Sequence, residues 1–171
     1  YNTALGACTF NATNTGDNNV AIGRKSMFDN TSGNNNVAVG NDALGNNTTG
    51  AGNVGVGVNA LIANTTASNN VAIGLCALKT NVDGHSNIAI GKDTMEANSG
   101  GDQNTAVGMS ALNANTVGNN TAIGYAAMFY NSSGTENVAV GVNAMCKNTT
   151  ADGNVAIGNY AMKDATTGNN N

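Results

Sequence analysis

The chain has 171 residues, of which 9% are charged and 4% are aromatic, and its formal net charge is −4. Asparagine occupies 34 positions and glycine 23, whereas proline and tryptophan are absent. This composition offers neither a basic surface for nucleic acid nor an apolar run of about 18 residues that could span a membrane.

A five-residue phrase, Asn-(Val/Thr/Ile)-(Ala/Gly)-(Ile/Val/Leu)-Gly, repeats ten times along the chain. It begins at Asn2, Asn19, Asn36, Asn53, Asn70, Asn87, Asn104, Asn120, Asn137 and Asn154, and Asn171 opens an eleventh copy. Nine of the ten intervals are 17 residues, and the interval from Asn104 to Asn120 is 16. So strict a period predicts a solenoid, in which each repeat is one coil and buries its apolar side chains by stacking on its neighbours. We therefore predict that residues 1–171 form a single all-β segment, a parallel β-solenoid (β-roll) of ten coils.

Numbering each coil from its phrase-opening asparagine, positions 2 and 4 predict a short strand. Both columns are dominated by Val, Ile and Thr, as in Val37 and Val39, and β-branched residues at a spacing of two favour a strand. Glycine at position 5 ends this strand in every coil, as at Gly40.

A second phrase in each coil places a small residue at position 8 and a large one at position 9, as in Ala43-Leu44. The large residues supply the bulk of the predicted core: Phe10, Met27, Leu44, Leu61, Leu78, Met95, Leu112, Met128, Met145 and Met162. A return turn then follows at Asn-Thr-Thr-Gly or a close variant, as at residues 47–50.

In-register stacking should also align charged side chains in successive coils. Opposite charges share columns at Lys25 and Asp42, Lys79 and Glu96, and Lys147 and Asp164. Opposed charges of this kind stabilise adjacent strands, so the pattern supports the 17-residue frame.

Position 3 is alanine in nine coils and Gly55 in the tenth, so the strand is apolar on both faces whichever set of side chains points inward. Soluble monomers seldom expose an apolar stripe about 48 Å tall. We expect identical chains to cover it, and the alanine column, including Ala72, Ala89 and Ala106, is the candidate contact with sister chains.

The repeated phrase at residues 19–23 and 154–158 resembles the head repeats of trimeric autotransporter adhesins. The pattern around residues 118–125 is similar to repeats of phage tail fibres and large bacterial surface proteins. This resemblance implies a left-handed β-roll in which three chains pack through their apolar strands. The coils here are longer than the roughly 14 residues associated with the adhesin heads.

Asparagine at position 1 recurs in all eleven copies. It could line a polar ligand groove, but we favour a buried ladder in which stacked side chains hydrogen-bond along the solenoid.

His85 stacks on Asp102 at the same position of the next coil, with Asp83 two residues away. This cluster could hold a metal ion or transfer a proton, although a solvated surface cluster is the favoured interpretation. Asp42 and Asp93 share a column but lie three coils apart, about 14 Å, beyond the range of paired hydrolytic carboxylates.

The remaining candidates are no stronger as sites. Cys8 and Cys76 lie four coils apart, about 19 Å, which is too far for a disulfide. Asn-x-Ser/Thr sequons occur at Asn30, Asn47, Asn64, Asn131 and Asn148, where turn chemistry accounts for the pattern.

Several aromatic residues could contact a partner: Tyr125, Phe129, Tyr130 and Tyr160. We predict no catalytic residue, no metal ligand and no cofactor.

The sequence thus predicts a non-enzymatic structural segment of an extracellular fibre or adhesin at a cell or virion surface, interior to a longer protein and homotrimeric. A phage tail-fibre shaft is the nearest alternative. An ice-binding solenoid is a further one because threonine is abundant, although Thr48 and Thr49 are adjacent at a turn rather than alternating along a strand. A polysaccharide-processing enzyme is the third.

Overall fold

The fold is an all-β solenoid of parallel coils, as the repeat predicts. A computed structural model describes residues 1–10 and 14–171. Ten three-residue strands are present in these residues, β1 to β10 in chain order: Thr3–Leu5, Val20–Ile22, Val37–Val39, Val54–Val56, Val71–Ile73, Ile88–Ile90, Thr105–Val107, Thr121–Ile123, Val138–Val140 and Val155–Ile157. The described residues include no helix long and apolar enough to cross a membrane.

The strands form one parallel sheet in which each strand pairs with the next one along the chain. Val37 pairs with Val54, and Val54 pairs with Val71, so equivalent positions of successive coils lie opposite each other. The register therefore follows the sequence repeat, and each column of the repeat becomes a column of the structure.

Glycine at position 5 is required because successive coils approach closely at the corner that follows the strand. Gly57 has a φ of 138°, and a Cβ placed on it would lie 2.3 Å from the carbonyl oxygen of Gly74. A larger residue would force the coils apart at this corner.

The core is a narrow column enclosed by the coils. It consists of alanine at position 3, a small residue at position 8 and the large residue at position 9, as in Ala72, Ala77 and Leu78. All three are fully buried. Each coil thus contributes one bulky side chain, and small residues allow the chain to close tightly around it.

The position-1 asparagines are buried and join neighbouring coils, but mainly through backbone groups. The Oδ1 of Asn36 accepts a hydrogen bond from the backbone N–H of Asn53 at 2.8 Å. Its Nδ2 donates across the coil to the carbonyl of Gly50 at 2.9 Å. The position-1 asparagines also form side-chain to side-chain hydrogen bonds in some coils, as from Asn36 Nδ2 to Asn19 Oδ1 at 3.2 Å. Each side chain therefore connects its own return turn to the strand entrance of the next coil.

A second asparagine column, at position 12, forms side-chain to side-chain hydrogen bonds along most of the solenoid. The Nδ2 of Asn47 donates to Oδ1 of Asn30 at 2.8 Å, and Nδ2 of Asn64 donates to Oδ1 of Asn47 at the same distance. Asn47 Nδ2 also donates to the Gly50 carbonyl at 3.0 Å, the acceptor already used by Asn36. The two columns therefore meet at the carbonyl of position 15.

The position-12 ladder stops at Asn148. Its Oδ1 is the only buried side-chain nitrogen or oxygen in the described residues without a hydrogen-bond partner. The equivalent residue of the next coil is Ala165, which has no side-chain amide to donate. A buried acceptor is thus left unsatisfied where the column changes from asparagine to alanine.

Replacing Asn87 by Val should lower the free energy of unfolding by ~1–3 kcal/mol. The change removes the acceptor of the Asn104 N–H at 2.9 Å and the Nδ2 donor to the Gly101 carbonyl at 2.7 Å. Thermal or denaturant unfolding measures the effect. Asn46→Val, at an exposed position, is the matched control and should be close to neutral. Equal stability of the two variants would contradict the importance of the buried column.

Replacing Ala165 by Asn should extend the position-12 ladder by one member and raise stability by about 1 kcal/mol, because Asn148 Oδ1 would gain a donor. Amide hydrogen exchange in residues 154–171 measures the local effect. Ala165→Asp has nearly the same shape but presents an ionised oxygen to the same acceptor, so it should be destabilising. A stabilising Asp variant would show that side-chain size, rather than the hydrogen bond, matters at this position.

Candidate functional surface

The most extensive feature of the surface is the outward side of the strands, which we call the outer face and define as the side chains at positions 2 and 4. Ile73, Ile90 and Ile123 in these columns are 39%, 37% and 41% exposed. No charged residue occurs in either column. The outer face is therefore a continuous array of Val, Ile and Thr, with Leu5 in the first strand, along the whole sheet.

The expectation that the alanine column contacts sister chains is wrong. Ala72, Ala89 and Ala106 are fully buried inside their own coils. The bulky residue at position 9 needs a small neighbour across the narrow coil, so alanine points inward and the β-branched residues point outward. The strand is apolar on both faces, as predicted, but the exposed face is the β-branched one.

Position 6 adds a third exposed column, which we call the border column. It contains Val58, Leu75, Met109, Tyr125 and Val142, each between 42% and 49% exposed. The inter-coil backbone hydrogen bonds continue past the corner glycine, as from Asp42 N–H to the Arg24 carbonyl at 2.9 Å, so this column follows the edge of the sheet. Arg24 and Lys92 are its only charged members.

Simple strand geometry gives the size of this surface. Ten coils at ~4.8 Å each span about 48 Å, and positions 2 and 4 are separated by about 7 Å. The outer face then covers roughly 300 Å², and the apolar members of the border column bring the apolar surface to roughly 500 Å². Apolar patches of that size are among the largest found on soluble monomers and often mark interaction surfaces.

All charged side chains lie outside the outer face, and several of them form ion pairs between neighbouring coils. Lys79 contacts Glu96 at 3.2 Å, and Lys147 contacts Asp164 at 2.7 Å, as the shared columns predict. The hydrogen bond from Lys147 holds the pKa of the Asp164 carboxyl below its ordinary value, and the Glu96 carboxylate raises the pKa of Lys79. These groups are exposed, so such pairs contribute little to stability.

The third predicted pair forms differently. Asp42 lies 3.8 Å from a guanidinium nitrogen of Arg24, whereas the ammonium of Lys25, which shares the Asp42 column, lies over the ring of Phe28. Lys25 and Asp42 both have a φ of 55°, so the two residues differ in their side-chain partners and not in backbone conformation.

His85 occupies a structural position rather than a metal or proton-transfer site. Its Nδ1 accepts a hydrogen bond from the backbone N–H of Ser68 at 3.0 Å. Asp102 accepts one from the backbone N–H of His85 at 2.6 Å, not from the imidazole. The same arrangement recurs at position 16 of another coil, where Asp152 accepts from the Thr135 N–H at 2.7 Å. The residues of this column therefore cap the preceding coil.

A different cluster, Cys76, Asp93 and Glu96, brings potential ligand atoms within 4.8 Å of one another. It is the only such group of three in the described part of the chain. Both carboxylates already have cationic partners, Lys92 at 3.4 Å from Asp93 and Lys79 at 3.2 Å from Glu96. This cluster was not predicted from the sequence, because its residues come together only when position 7 of one coil lies beside positions 7 and 10 of the next.

The acids considered as a hydrolytic pair remain separate, since Asp42 is near Arg24 and Asp93 is near Lys92. No pocket is present in residues 1–10 and 14–171. The three cysteines Cys8, Cys76 and Cys146 are free thiols.

The sequon asparagines assigned to the return turn are buried members of the position-12 ladder: Asn30, Asn47, Asn64, Asn131 and Asn148. The adjacent threonine hydroxyls at position 13 are also used within the solenoid. Thr31 and Thr48 donate to the carbonyls of Thr48 and Thr65, both at 2.9 Å. Hydroxyls that donate to the backbone do not form a free array for ordered water, which argues against an ice-binding threonine surface at this turn.

The aromatic residues are scattered around the coils. Phe129 and Tyr130 form an edge-to-face pair with ring centroids 4.6 Å apart, and Tyr160 lies beside the ammonium of Lys163. Tyr125 belongs to the border column.

Comparison of the chain with protein-family models, with curated proteins and with solved structures finds no match.

Replacing Ala89 by Glu should abolish folding, whereas replacing its neighbour Ile88 by Glu should leave the solenoid intact. The first change places an unpaired carboxylate in the core, and the second places it at a side chain that is 38% exposed. Circular dichroism and thermal unfolding distinguish the two variants. Tolerance of Glu at position 89 would contradict the inward direction of the alanine column.

Proposed function

We propose that this chain is a non-enzymatic structural segment of an extracellular fibre or adhesin, in which identical chains associate through the outer face. The observation that carries the proposal is the uncharged outer face itself, which runs along all ten strands. Burial of such a surface away from water is favourable. Every copy of the chain carries the same surface at the same coils, so the surfaces of two copies can cover each other.

The coil geometry supports a mechanical role. A parallel backbone ladder connects every coil to the next, and two buried asparagine columns reinforce it, one of them ending at Asn148. Repeat proteins of this kind are quasi-one-dimensional, so adding coils lengthens the rod without changing its cross-section. The segment would hold a binding tip away from a cell or virion surface.

Three chains are the proposed assembly. In a closed ring of three chains, each chain contacts two neighbours. The neighbouring chains can then cover both the outer face and the border column. The resemblance of the repeat phrase to adhesin heads favours the same number. A phage tail-fibre shaft would use the same rod, and electron microscopy of the intact particle would identify its source.

The unmodified segment should sediment as an oligomer of three chains, and the double variant Ile73→Lys, Ile123→Lys should sediment as a monomer with its β-structure retained. The two positions lie three coils apart, about 14 Å, so the added charges repel each other little. Each ammonium would enter an apolar contact without a counter-ion. Analytical ultracentrifugation with circular dichroism measures both properties.

The matched control adds the same two charges away from the outer face, at the exposed turn residues Asn46 and Val82. Asn46→Lys, Val82→Lys should remain an oligomer. A monomeric unmodified chain would refute the association. Thermal hysteresis in ice growth assays would favour the ice-binding alternative instead.

A further inference from the structure

The one short coil interrupts the return turn. Coil 7, which starts at Asn104, has 16 residues. The carbonyl of Val117 accepts hydrogen bonds from Asn104 and Asn115, the role that Gly50 has in coil 3. Val117 therefore occupies position 15, and the residue missing from this coil is the one at position 14, on the solvent side of the turn.

In the full-length turns other than that of coil 6, backbone N–H groups donate to the next coil, from two groups in coil 4 to four in coil 3. Thr48, Thr49 and Gly50 all donate to the carbonyl of Thr65, at 2.9, 3.1 and 3.3 Å. The next N–H, that of Ala51, donates to Oγ of Ser68 at 3.0 Å. Coil 3 is thus joined to coil 4 along its whole return turn.

The corresponding turn of coil 6, residues 99–102, donates no backbone hydrogen bond to coil 7 or to any other described residue. Gly118 stands at position 16 of coil 7 and has no side chain to cap Asp102. The short turn itself, residues 116–118, donates no backbone hydrogen bond to coil 8. It is joined to coil 8 by the Thr116 hydroxyl, which donates to the Ser132 carbonyl at 2.8 Å, and by the Gly118 carbonyl, which accepts from Asn120 Nδ2 at 3.1 Å.

The rest of the junction between coils 6 and 7 is intact, including the hydrogen bond from the Asn119 N–H to the Asp102 carbonyl at 2.9 Å at the end of the turn. Strand β6 pairs with β7, and Met95 and Ala97 donate to the carbonyls of coil 7 at 3.0 and 2.9 Å. The link from Asn115 to Asn98 in the position-12 ladder is 3.5 Å long, whereas the equivalent links elsewhere are between 2.7 and 3.2 Å. The weakness is therefore confined to the return-turn side of the solenoid.

We propose that this junction is a one-sided hinge, at which coils 6 and 7 separate on the turn side while the strand side stays paired. Ser99, Gly100 and Asp102 are exposed, so water can replace the missing bonds of these three residues, whereas Gly101 is buried. The solenoid would bend away from its turn side here, and this turn would be the first part of the rod to open and to admit a protease. This property does not depend on association of the chains.

Amide hydrogen exchange tests the hinge in the unmodified protein. Residues 99–102 should exchange at least about tenfold faster than residues 48–51, since each lost hydrogen bond of about 1.4 kcal/mol corresponds to a factor of ten in opening. Limited proteolysis with a protease of broad specificity should cut first within residues 99–102. Equal exchange in the two turns, or a first cut elsewhere in the coils, would overturn the proposal.

Two length variants make the test independent of local sequence. Inserting a serine after Thr116 restores a 17-residue coil and should slow exchange of residues 99–102 to the rate of residues 48–51. Deleting Thr49 from coil 3 should create a second hinge and speed exchange of residues 31–34. If the insertion variant does not fold, the deletion variant decides: unchanged exchange of residues 31–34 would overturn the link between coil length and opening.

Discussion

The structure depends on the hydrogen bonds that two asparagine side chains, at positions 1 and 12, make in coils 2 to 9. In coil 3, Asn36 and Asn47 both donate to the carbonyl of Gly50, and their oxygens accept from neighbouring coils. Buried amides with every group paired hold a narrow core together where bulky side chains are scarce. Alanine can therefore occupy the inside of the strand, and the larger β-branched residues are left outside.

The inward direction of alanine and the outward direction of the β-branched residues link the core to the proposed function. A coil with one large residue has room only for a small one at position 3, as at Ala89 beside Met95 in coil 6. Val, Ile and Thr then form the outer face, because β-branched residues still favour the extended backbone there. The same packing that stabilises one chain creates the surface proposed to join several chains.

Stacking also maintains backbone conformations that these residues seldom adopt. Asp42 and Leu44 have φ values of 55° and 50°, and equivalent residues are left-handed in other coils. A bulky residue in this region is strained in isolation, but surrounding ladders hold it there. At coil 7 the ladders continue past a missing residue and only the exposed turn loses its bonds, so the repeat tolerates a change of length on one side.

The 17-residue period determined the fold class, the strand positions and the in-register stacking, because each regular column of the sequence can align only with itself. The pairs Lys79–Glu96 and Lys147–Asp164 followed from the same frame. The tertiary structure decided which face of the strands points inward. Both faces are apolar in the sequence, and only the limited space beside residues such as Leu78 requires alanine on the inner face. It also decided the roles of the two asparagine columns, the capping by His85 and the cluster at Cys76, because these depend on which side chains and backbone groups of neighbouring coils come into contact.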